Sequence, residues 1–254
     1  MKEPKAMAYV NMYGVLACLE NLCEIDDEAK AVVGSLKKPV SLCFEVANGP
    51  CCTFHFSKDG CTISEGSYGC TCKMNFASPE KFNALIDNNK PGMPTKNVAQ
   101  VLSFLLGPFT KLTNRLTELL MPSEENLKNR AFFGESTILT FYTIAGALSA
   151  LANHDSVAKH SAFYTVDGDI QMGITDVCYA TLRVRNHTFE TIKEKPDTPR
   201  AIMEFKTIDL ANALFNGTAS TMAELCAGNI YMSGMINMID NVNRILDRVG
   251  MYLG

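Results

Sequence analysis

The sequence lacks tryptophan and has few histidines, so it offers little of the usual equipment for catalysis. No cysteine or serine stands at a spacing from a histidine that indicates a nucleophile and its base. Glycines 60, 66 and 69 punctuate a predicted hairpin and do not form a phosphate-cradling loop. The sequence therefore predicts no catalytic residue and no enzymatic activity. The four histidines are scattered along the chain: His55, His154, His160 and His187.

Several targeting signals and partner classes are also missing from the sequence. No window contains 18 consecutive apolar residues, which predicts no transmembrane segment. Lys2 and Lys5 precede an amphipathic stretch and not a uniformly apolar one, so no secretion signal is expected. The net charge of −4 gives no reason to expect a nucleic acid partner. Ten cysteines without a secretion signal favour reduced thiols and a cytoplasmic location.

The cysteines are concentrated in the first third of the chain, where six lie between positions 43 and 72. Four thiolates can hold zinc, but the adjacent pair Cys51-Cys52 and the spacing of Cys70 and Cys72 differ from the Cys-x-x-Cys knuckle. Cys52 and Cys72 fall on the inward faces of predicted strands, where a thiol serves as a small apolar side chain. We expect buried structural thiols, with no metal and no cofactor; a thiol–metal or redox site is the weaker alternative.

What the sequence does contain is a well-patterned segment over residues 200–249. Positions 201–205 alternate between two faces, as in a half-buried strand. Thr207 is the expected N-cap of the helix that follows, and Gly217 its stop. A short apolar turn spans 222–227, and a strand bracketed by Gly228 and Gly234 follows it. An amphipathic helix closes the segment, with an apolar stripe at Met235, Met238, Ile239, Val242, Ile245, Leu246 and Val249.

A spacing of 129 residues relates this segment to the first half of the chain. Met74-Asn75-Phe76 falls on Met203-Glu204-Phe205, and Ser78 falls on Thr207. Asn83-Ala84-Leu85 falls on Asn212-Ala213-Leu214, and Asn114-Arg115 falls on Asn243-Arg244. One spacing thus joins a strand, a capped helix and a closing helix, which indicates an internal duplication. We predict domains over residues 1–121 and 137–254, joined by a linker over 122–136.

Other elements follow from local patterns. Helices are predicted over residues 7–24, from Ser78 onward, and over 109–120 and 140–153. Residues 98–106 form a continuous apolar run. Strands are predicted at residues 40–46, 52–56, 61–64, 71–76, 170–174, 177–185 and 188–193.

This element order, together with the glycine–strand–glycine motif at 228–234 before the closing helix, resembles the sterol carrier protein type 2 family. The first half is similar in order but lacks that motif. The resemblance implies an α+β fold of two tandem sterol-carrier-like domains. Each would be a five-stranded, mostly antiparallel sheet covered by helices, and the two would form a pseudo-dimer.

The resemblance also implies non-catalytic binding or transfer of a fatty acid, sterol-like molecule or other lipid in an apolar tunnel. Six of the thirteen methionines lie in the last 54 residues, and methionine side chains can repack around different apolar ligands. The alternative is a structural or accessory module with a filled core, no lipid and a fixed protein partner. The expected pocket residues are Leu210, Leu214, Phe215, Met222, Leu225, Ile230, Met232, Met235, Met238 and Ile239.

Overall fold

A computed structural model describes residues 2–87 and 98–254, with only the helical backbone described for residues 98–100. The chain divides into two compact units, Met1–Glu135 and Ser136–Gly254, which we call the N-terminal and C-terminal units. Each combines a mixed sheet with helices, so the fold is α+β. The pseudo-dimer concerns the relative placement of the units and stays a prediction.

The N-terminal unit begins with a continuous helical run in which a π-helical segment separates two α-helices. Asn11, in the π-helical segment, is buried and donates a hydrogen bond to Asn83 Oδ1 at 3.0 Å. The helices are α1 (Pro4–Tyr9), α2 (Cys18–Ile25), α3 (Asp27–Gly34), α4 (Pro79–Ile86), α5 (Val98–Phe104) and α6 (Thr110–Leu120), with π-helical segments at Val10–Leu16 and Leu105–Phe109. The strands are β1 (Val40–Val46), β2 (Cys51–Ser57), β3 (Gly60–Glu65) and β4 (Cys72–Phe76).

The N-terminal sheet has the strand order β3-β2-β1-β4, with β1 and β4 parallel and the other pairs antiparallel. Within the described residues it has four strands, not the expected five. The apolar run that begins at Val98 is helical, whereas the C-terminal unit has a strand at the corresponding place. Apolar content alone does not distinguish a buried strand from a helix, so the sequence did not predict which of the two this run forms.

The core of the N-terminal unit is filled with phenylalanine side chains. Phe44 lies at the centre, with ring centroids of its neighbours 5.5–6.3 Å away. Phe56 extends the cluster toward the α5–α6 region, 5.2 Å from Phe104. Edge-to-face and tilted ring pairs of this kind fill volume densely. The connected rings are Phe44, Phe54, Phe56, Phe76, Phe82, Phe104 and Phe109.

Within the described residues, the C-terminal unit repeats the order of the four strands and adds a fifth. Its helices are α7 (Arg130–His154), which begins in the N-terminal unit, α8 (Ala158–Phe163), α9 (Ile208–Phe215), α10 (Thr221–Cys226) and α11 (Ile236–Leu253). Its strands are β5 (Gly168–Ile174), β6 (Cys178–Arg185), β7 (Thr188–Ile192), β8 (Ala201–Phe205) and β9 (Ile230–Gly234).

The C-terminal sheet has the order β7-β6-β5-β8-β9, with β5 and β8 parallel and the other pairs antiparallel. The added strand β9 lies at one edge and pairs with β8. The inward face carries smaller or more flexible side chains than the phenylalanine-filled core. Its buried residues include Ile170, Met172, Ile174, Cys178, Ala180, Leu182, Ala201, Met203 and Phe205.

Helix α7 starts well before the helix expected over 140–153, so the second half of the expected linker 122–136 is helical. Polar residues such as Arg130 and Glu135 in its first turns hide the helix from a search for apolar periodicity. By length and composition α7 could cross a membrane, but 56% of its most apolar window is buried inside the fold. A buried core helix has the same apolar composition.

A buried aspartate in each unit caps the helix that precedes the sheet and binds an arginine of the closing helix. Asp26 accepts from the amide of Ala29 at 2.7 Å and from Arg115 Nη2 at 2.8 Å. Asp155 lies 129 positions later and accepts from the amide of Ala158 at 2.8 Å and from Arg248 Nη2 at 2.6 Å. Each unit thus contains a buried Asp–Arg ion pair that joins the helix before the sheet to the closing helix. We call this pair the Asp–Arg device.

The structure shifts one part of the predicted repeat. Arg115 was expected to correspond to Arg244, but Arg244 forms an exposed pair with Asp240 on its own helix. Arg248 makes the buried contact that Arg115 makes in the first unit. The two arginines of α11 are four residues apart, close to one helical turn, so helical periodicity could not distinguish them.

Removing Arg248 should strongly destabilise the C-terminal unit. Arg248→Met leaves the completely buried Asp155 carboxylate without its main ionic partner, which typically costs about 3–5 kcal/mol. The matched control is Arg244→Met on the same helix, where the lost pair is exposed and the expected cost is below about 1 kcal/mol. Urea unfolding followed by circular dichroism measures both; equal effects of the two substitutions would contradict the assignment.

The same aspartate should make the C-terminal unit sensitive to acid. Burial alone would raise the pKa of Asp155, but hydrogen bonds from Arg248, the Ala158 amide and Tyr252 outweigh it and hold the pKa below its ordinary value. A carboxyl whose pKa is lower folded than unfolded stabilises above its unfolded pKa, about 4, and this contribution is lost as pH falls through the folded value. We expect Asp155→Asn, measured by urea unfolding, to lose less stability than the unsubstituted chain between about pH 5 and pH 3. Asp240→Asn, at an exposed site, should keep the original acid profile.

Gly234 should tolerate no side chain. Its φ is +90°, and an added Cβ would collide with the carbonyl oxygen of Arg200 and lie 2.9 Å from Ala201 Cα. Gly234→Ala should therefore cost more than about 2 kcal/mol. Gly228→Ala is the control: its φ is +72° but no atom lies within 4 Å of the added Cβ, so about 1 kcal/mol is expected. Thermal or urea unfolding of the two variants checks the order.

Candidate functional site

The candidate site is built by the segment that runs from β8 to α11. Thr207 and Ser220 cap α9 and α10 through side-chain oxygens that accept from Leu210 N and Ala223 N. Both helices are short, at eight and six residues. The turn at Gly228 returns the chain to the sheet edge. Because Gly234 has no side chain, the end of β9 can lie directly against the backbone of Arg200 and Ala201 before α11 begins. The expected N-cap Thr207 and the glycine-bracketed strand are both present.

The ten expected pocket residues occupy three different environments. Ile230, Met238 and Ile239 are buried in the core, and Met222 is 68% exposed on the surface. The other six are half-buried, so each leaves part of an apolar side chain accessible. These six are Leu210, Leu214, Phe215, Leu225, Met232 and Met235.

The contacts join part of this set along the β8–β9 edge. Ile230 and Met232 are the strand partners of Phe205 and Met203, so they lie over the inward face of the sheet. The ring of Phe215, on α9, meets Phe205 edge to face at 5.6 Å. Phe205 therefore links Phe215 to Ile230, and Met232 lies two positions further along the same face of β9.

Met238 lies at the other end of the sheet. A Cβ added at Gly168, the first residue of β5, would lie 3.3 Å from the Met238 Cε atom. Met235 is close to the same end, since its amide donates to the Arg200 carbonyl at 2.9 Å. Met235 and Met238 thus lie at the opposite end of the β8–β9 pair from Ile230 and Phe215. We call the six half-buried residues the strip.

Two exposed apolar residues near this strip were missed from the sequence. Ile236 is 80% exposed, although it directly follows Met235, and Tyr231 points away from the inward face of β9. Ile236 lies off the apolar stripe of α11, and an apolar residue outside the stripe is a signal that could have been noticed.

The outer face of the C-terminal sheet is polar and offers a different kind of surface. Arg183 donates to both carboxylate oxygens of Asp169, at 3.1 and 3.0 Å, and Arg185 adds a third bond. The hydrogen bond from Arg183 is the main reason that the pKa of Asp169 lies below its ordinary value. Gln171 donates to Glu204, which also bonds Thr175. These groups satisfy one another across neighbouring strands.

Two surface concavities, of about 270 and 430 Å³, lie in the N-terminal unit and include none of the ten residues. The smaller contains His55, whose Nδ1 lies 2.8 Å from Ser41 Oγ and whose Nε2 lies 2.8 Å from Ser64 Oγ. Ser41 and His55 are directly opposite in the β1–β2 register, so this contact follows from strand pairing. It joins two hydroxyls to one imidazole by cross-strand bonds.

The thiols lie mostly in the core of the N-terminal unit. Cys52 and Cys72 are buried at their expected inward positions. Cys43 and Cys51 lie on the other face of the sheet, with their sulfur atoms 3.9 Å apart, and Cys43 is fully buried there. Burial raises the pKa of Cys43 and of Cys52 to about 12. No disulfide joins cysteines of the described ranges, and no three His, Cys, Asp or Glu side chains there are grouped to hold a metal ion.

No protein-family model matches the chain, and no curated protein matches it. Among solved structures it is similar to a "UbiJ-SCP2 Ubiquinone synthesis protein", with 12% identity and a TM-score of 0.35 over 44% of this chain and 96% of that one. It is also similar to Sterol Carrier Protein 2 Like 2 from Aedes aegypti, with 13% identity and a TM-score of 0.31 over 40% of this chain and 92% of that one. A structure of sterol carrier protein 2 gives 11% identity and a TM-score of 0.33 over 43% of this chain and 92% of that one. The similarity in each case spans less than half of the chain and does not place it in a family.

Proposed function

We propose that the C-terminal unit binds a lipid or another apolar small molecule along the β8–β9 edge and carries it without changing it chemically. The observation that carries this proposal is the strip of half-buried apolar side chains on α9, α10 and β9. Leu214, Leu225 and Met232 each leave apolar surface in contact with water, and an apolar ligand would cover it.

The covering elements are suited to admit such a molecule. Helices α9 and α10 are short, and the unit's strip combines leucine with methionine, whose unbranched side chain adapts to differently shaped neighbours. Burying ten methylenes of an acyl chain contributes roughly 8 kcal/mol before ordering costs. After those costs an affinity on the order of micromolar is expected.

The N-terminal unit has a different role in this proposal. Its phenylalanine cluster occupies the space between sheet and helices, with neighbouring rings 5.2–6.3 Å apart. A filled core of this kind fits a structural or accessory module that contacts a protein partner. We therefore assign ligand binding to one unit and a structural role to the other.

We also propose that the two units descend from one duplicated domain. The shared strand order and the repeated Asp–Arg device support this origin. The buried asparagines add to it: Asn83 bonds the first helical run of its unit, and Asn212, at the same spacing of 129, bonds Thr137 of α7. A cytoplasmic location remains part of the proposal because the chain is rich in thiols that form no disulfide.

Solvent extraction of the purified protein followed by mass spectrometry should recover an apolar molecule at one per chain, not two. A fluorescent fatty acid should bind with the same stoichiometry. Leu214→Lys places a charge in the strip and should weaken binding at least ~10-fold, equivalent to about 1.4 kcal/mol. Because Leu214 is half-buried, the unfolding midpoint of the variant should stay near that of the unsubstituted chain.

The control is Leu85→Lys, at the corresponding half-buried position of α4 in the N-terminal unit. It should leave fatty acid affinity unchanged. Equal losses in the two variants, or two ligands per chain, would contradict the assignment to the C-terminal unit. A chain that binds no fatty acid and yields no extracted molecule would favour the accessory-module alternative for both units.

A further inference from the structure

Two cysteines of the N-terminal unit lie in contact on the face of the sheet opposite the phenylalanine cluster. Their sulfur atoms are 3.9 Å apart, and we call Cys43 and Cys51 the thiol pair. In the β1–β2 register Cys43 is paired with Thr53 and Cys51 with Glu45, so the two cysteines are diagonal neighbours. A disulfide requires the sulfur atoms to approach each other by about 2 Å more. Cys51 is the last residue of this ladder and directly follows a turn, where the backbone can shift most easily.

The members of the thiol pair differ in their access to solvent. Cys43 is fully buried, whereas Cys51 is half-buried. The connection between β3 and β4 crosses this face of the sheet, and the Thr53 hydroxyl donates to the Gly66 carbonyl there at 2.7 Å. A small oxidant dissolved in water therefore reaches Cys51 first, while Cys43 lies behind it as a second thiol.

The groups around the thiol pair make Cys51 the first of the two to ionise. Burial is the main reason that the pKa of Cys51 lies above its ordinary value, and a hydrogen bond from the Cys43 thiol acts against it. Glu45 and Cys70 raise this pKa further when they are charged, whereas the Lys73 ammonium lowers it. Burial raises the pKa of Cys43 to about 12. The thiolate is the reactive form of cysteine, so Cys51 should react before Cys43, and faster as the pH rises.

The C-terminal unit carries no thiols at the corresponding positions. By strand register Gln171 corresponds to Cys43, and Tyr179 corresponds to Cys51. The neighbouring Cys178 is buried. The shared strand order therefore does not require cysteine at either place, and the thiol pair distinguishes one unit from the other.

We propose that the thiol pair is a modification site that hydrogen peroxide converts to a reversible disulfide. The Cys51 thiolate attacks a peroxide oxygen; an S–O bond forms, the O–O bond breaks, and the released hydroxide takes up the proton that Cys51 lost. The deprotonated Cys43 sulfur then attacks the sulfenic acid on Cys51. The S–S bond forms, the S–O bond breaks, and the oxygen leaves as water with the proton from Cys43. Two thiols are thus oxidised, and one peroxide is reduced to two waters.

A third thiol near the pair provides the competing outcome. Cys70 lies in the connection between β3 and β4, is half-buried, and donates to the Ser67 carbonyl at 3.6 Å. A bond from Cys51 to Cys70 would fasten this connection to the sheet, whereas a bond to Cys43 would join two neighbouring strands. The 3.9 Å contact favours Cys43 as the partner.

Peptide mapping of the full chain after peroxide treatment tests the proposal. A protease that cleaves after Glu45 separates Cys43 from Cys51, so the disulfide joins two peptides until dithiothreitol releases them. Cys51→Ser, at a half-buried position, should reduce the yield of joined peptides at least ~10-fold. Cys226→Ser is the control: Cys226 is exposed on the C-terminal unit, and its loss should leave the yield unchanged.

A second variant follows the intermediate. Cys43→Ala removes the second thiol, so Cys51 should persist as a sulfenic acid that dimedone labels, and the unsubstituted chain should show much less label. Peroxide that oxidises Cys226 without joining the two peptides would overturn the proposal. An undiminished yield in Cys51→Ser, or a bond from Cys51 to Cys70 in the unsubstituted chain, would also overturn it. Fatty acid binding plays no part in these outcomes, because the thiol pair does not rest on the proposed function.

Discussion

The C-terminal unit depends on a buried carboxylate that serves two elements at once. Asp155 fixes the start of α8 through the Ala158 amide and the far end of α11 through Arg248 and Tyr252. A buried charge is tolerated only where hydrogen bonds replace its lost hydration, and the helix N-terminus and the guanidinium both do so. Because α11 is fixed at this end and by Met235 at the other, the position of the strip beside it is set.

The same device in the N-terminal unit holds a different core. Asp26 and Arg115 orient α3 and α6, yet the space above the sheet contains interlocking rings. At the positions that correspond in strand register to Phe44, Phe54 and Phe56, the C-terminal sheet has Met172, Leu182 and Val184. Phe205 and Phe215 form a ring pair at the β8–β9 edge. The two units thus combine the same order of their first four strands with different core side chains, and the proposed difference in their roles rests on side-chain volume and not on topology.

The sequence predicted the strands and capped helices well because each carries a local signal. Ser78 and Thr207 cap their helices as expected, and β1 and β8 have the expected bounds. The start of α7 and the pairing of Arg248 could not be predicted in this way. The start of α7 contains polar residues that give no apolar periodicity. The ion pair of Asp155 depends on which of two arginines, about one helical turn apart, faces it. The ten pocket residues were predicted from composition and resemblance and stay a prediction as a pocket; the burial of Met238 and the exposure of Met222 depend on tertiary packing.

The half-buried state of the strip has an energetic consequence for binding. Leu214, Phe215 and Met232 are already partly buried in the folded protein. A ligand can therefore bury only the apolar area that is still exposed, together with any area that a displaced helix uncovers. If the ligand binds only when α9 or α10 is displaced, the apparent affinity is the intrinsic affinity multiplied by the fraction of molecules in that open arrangement. Helices α9 and α10 are short and separately capped, whereas the end of α11 is bonded to the buried Asp155. Under the proposed function, α9 and α10 would therefore be the elements that shift to admit a ligand, while α11 would keep its position.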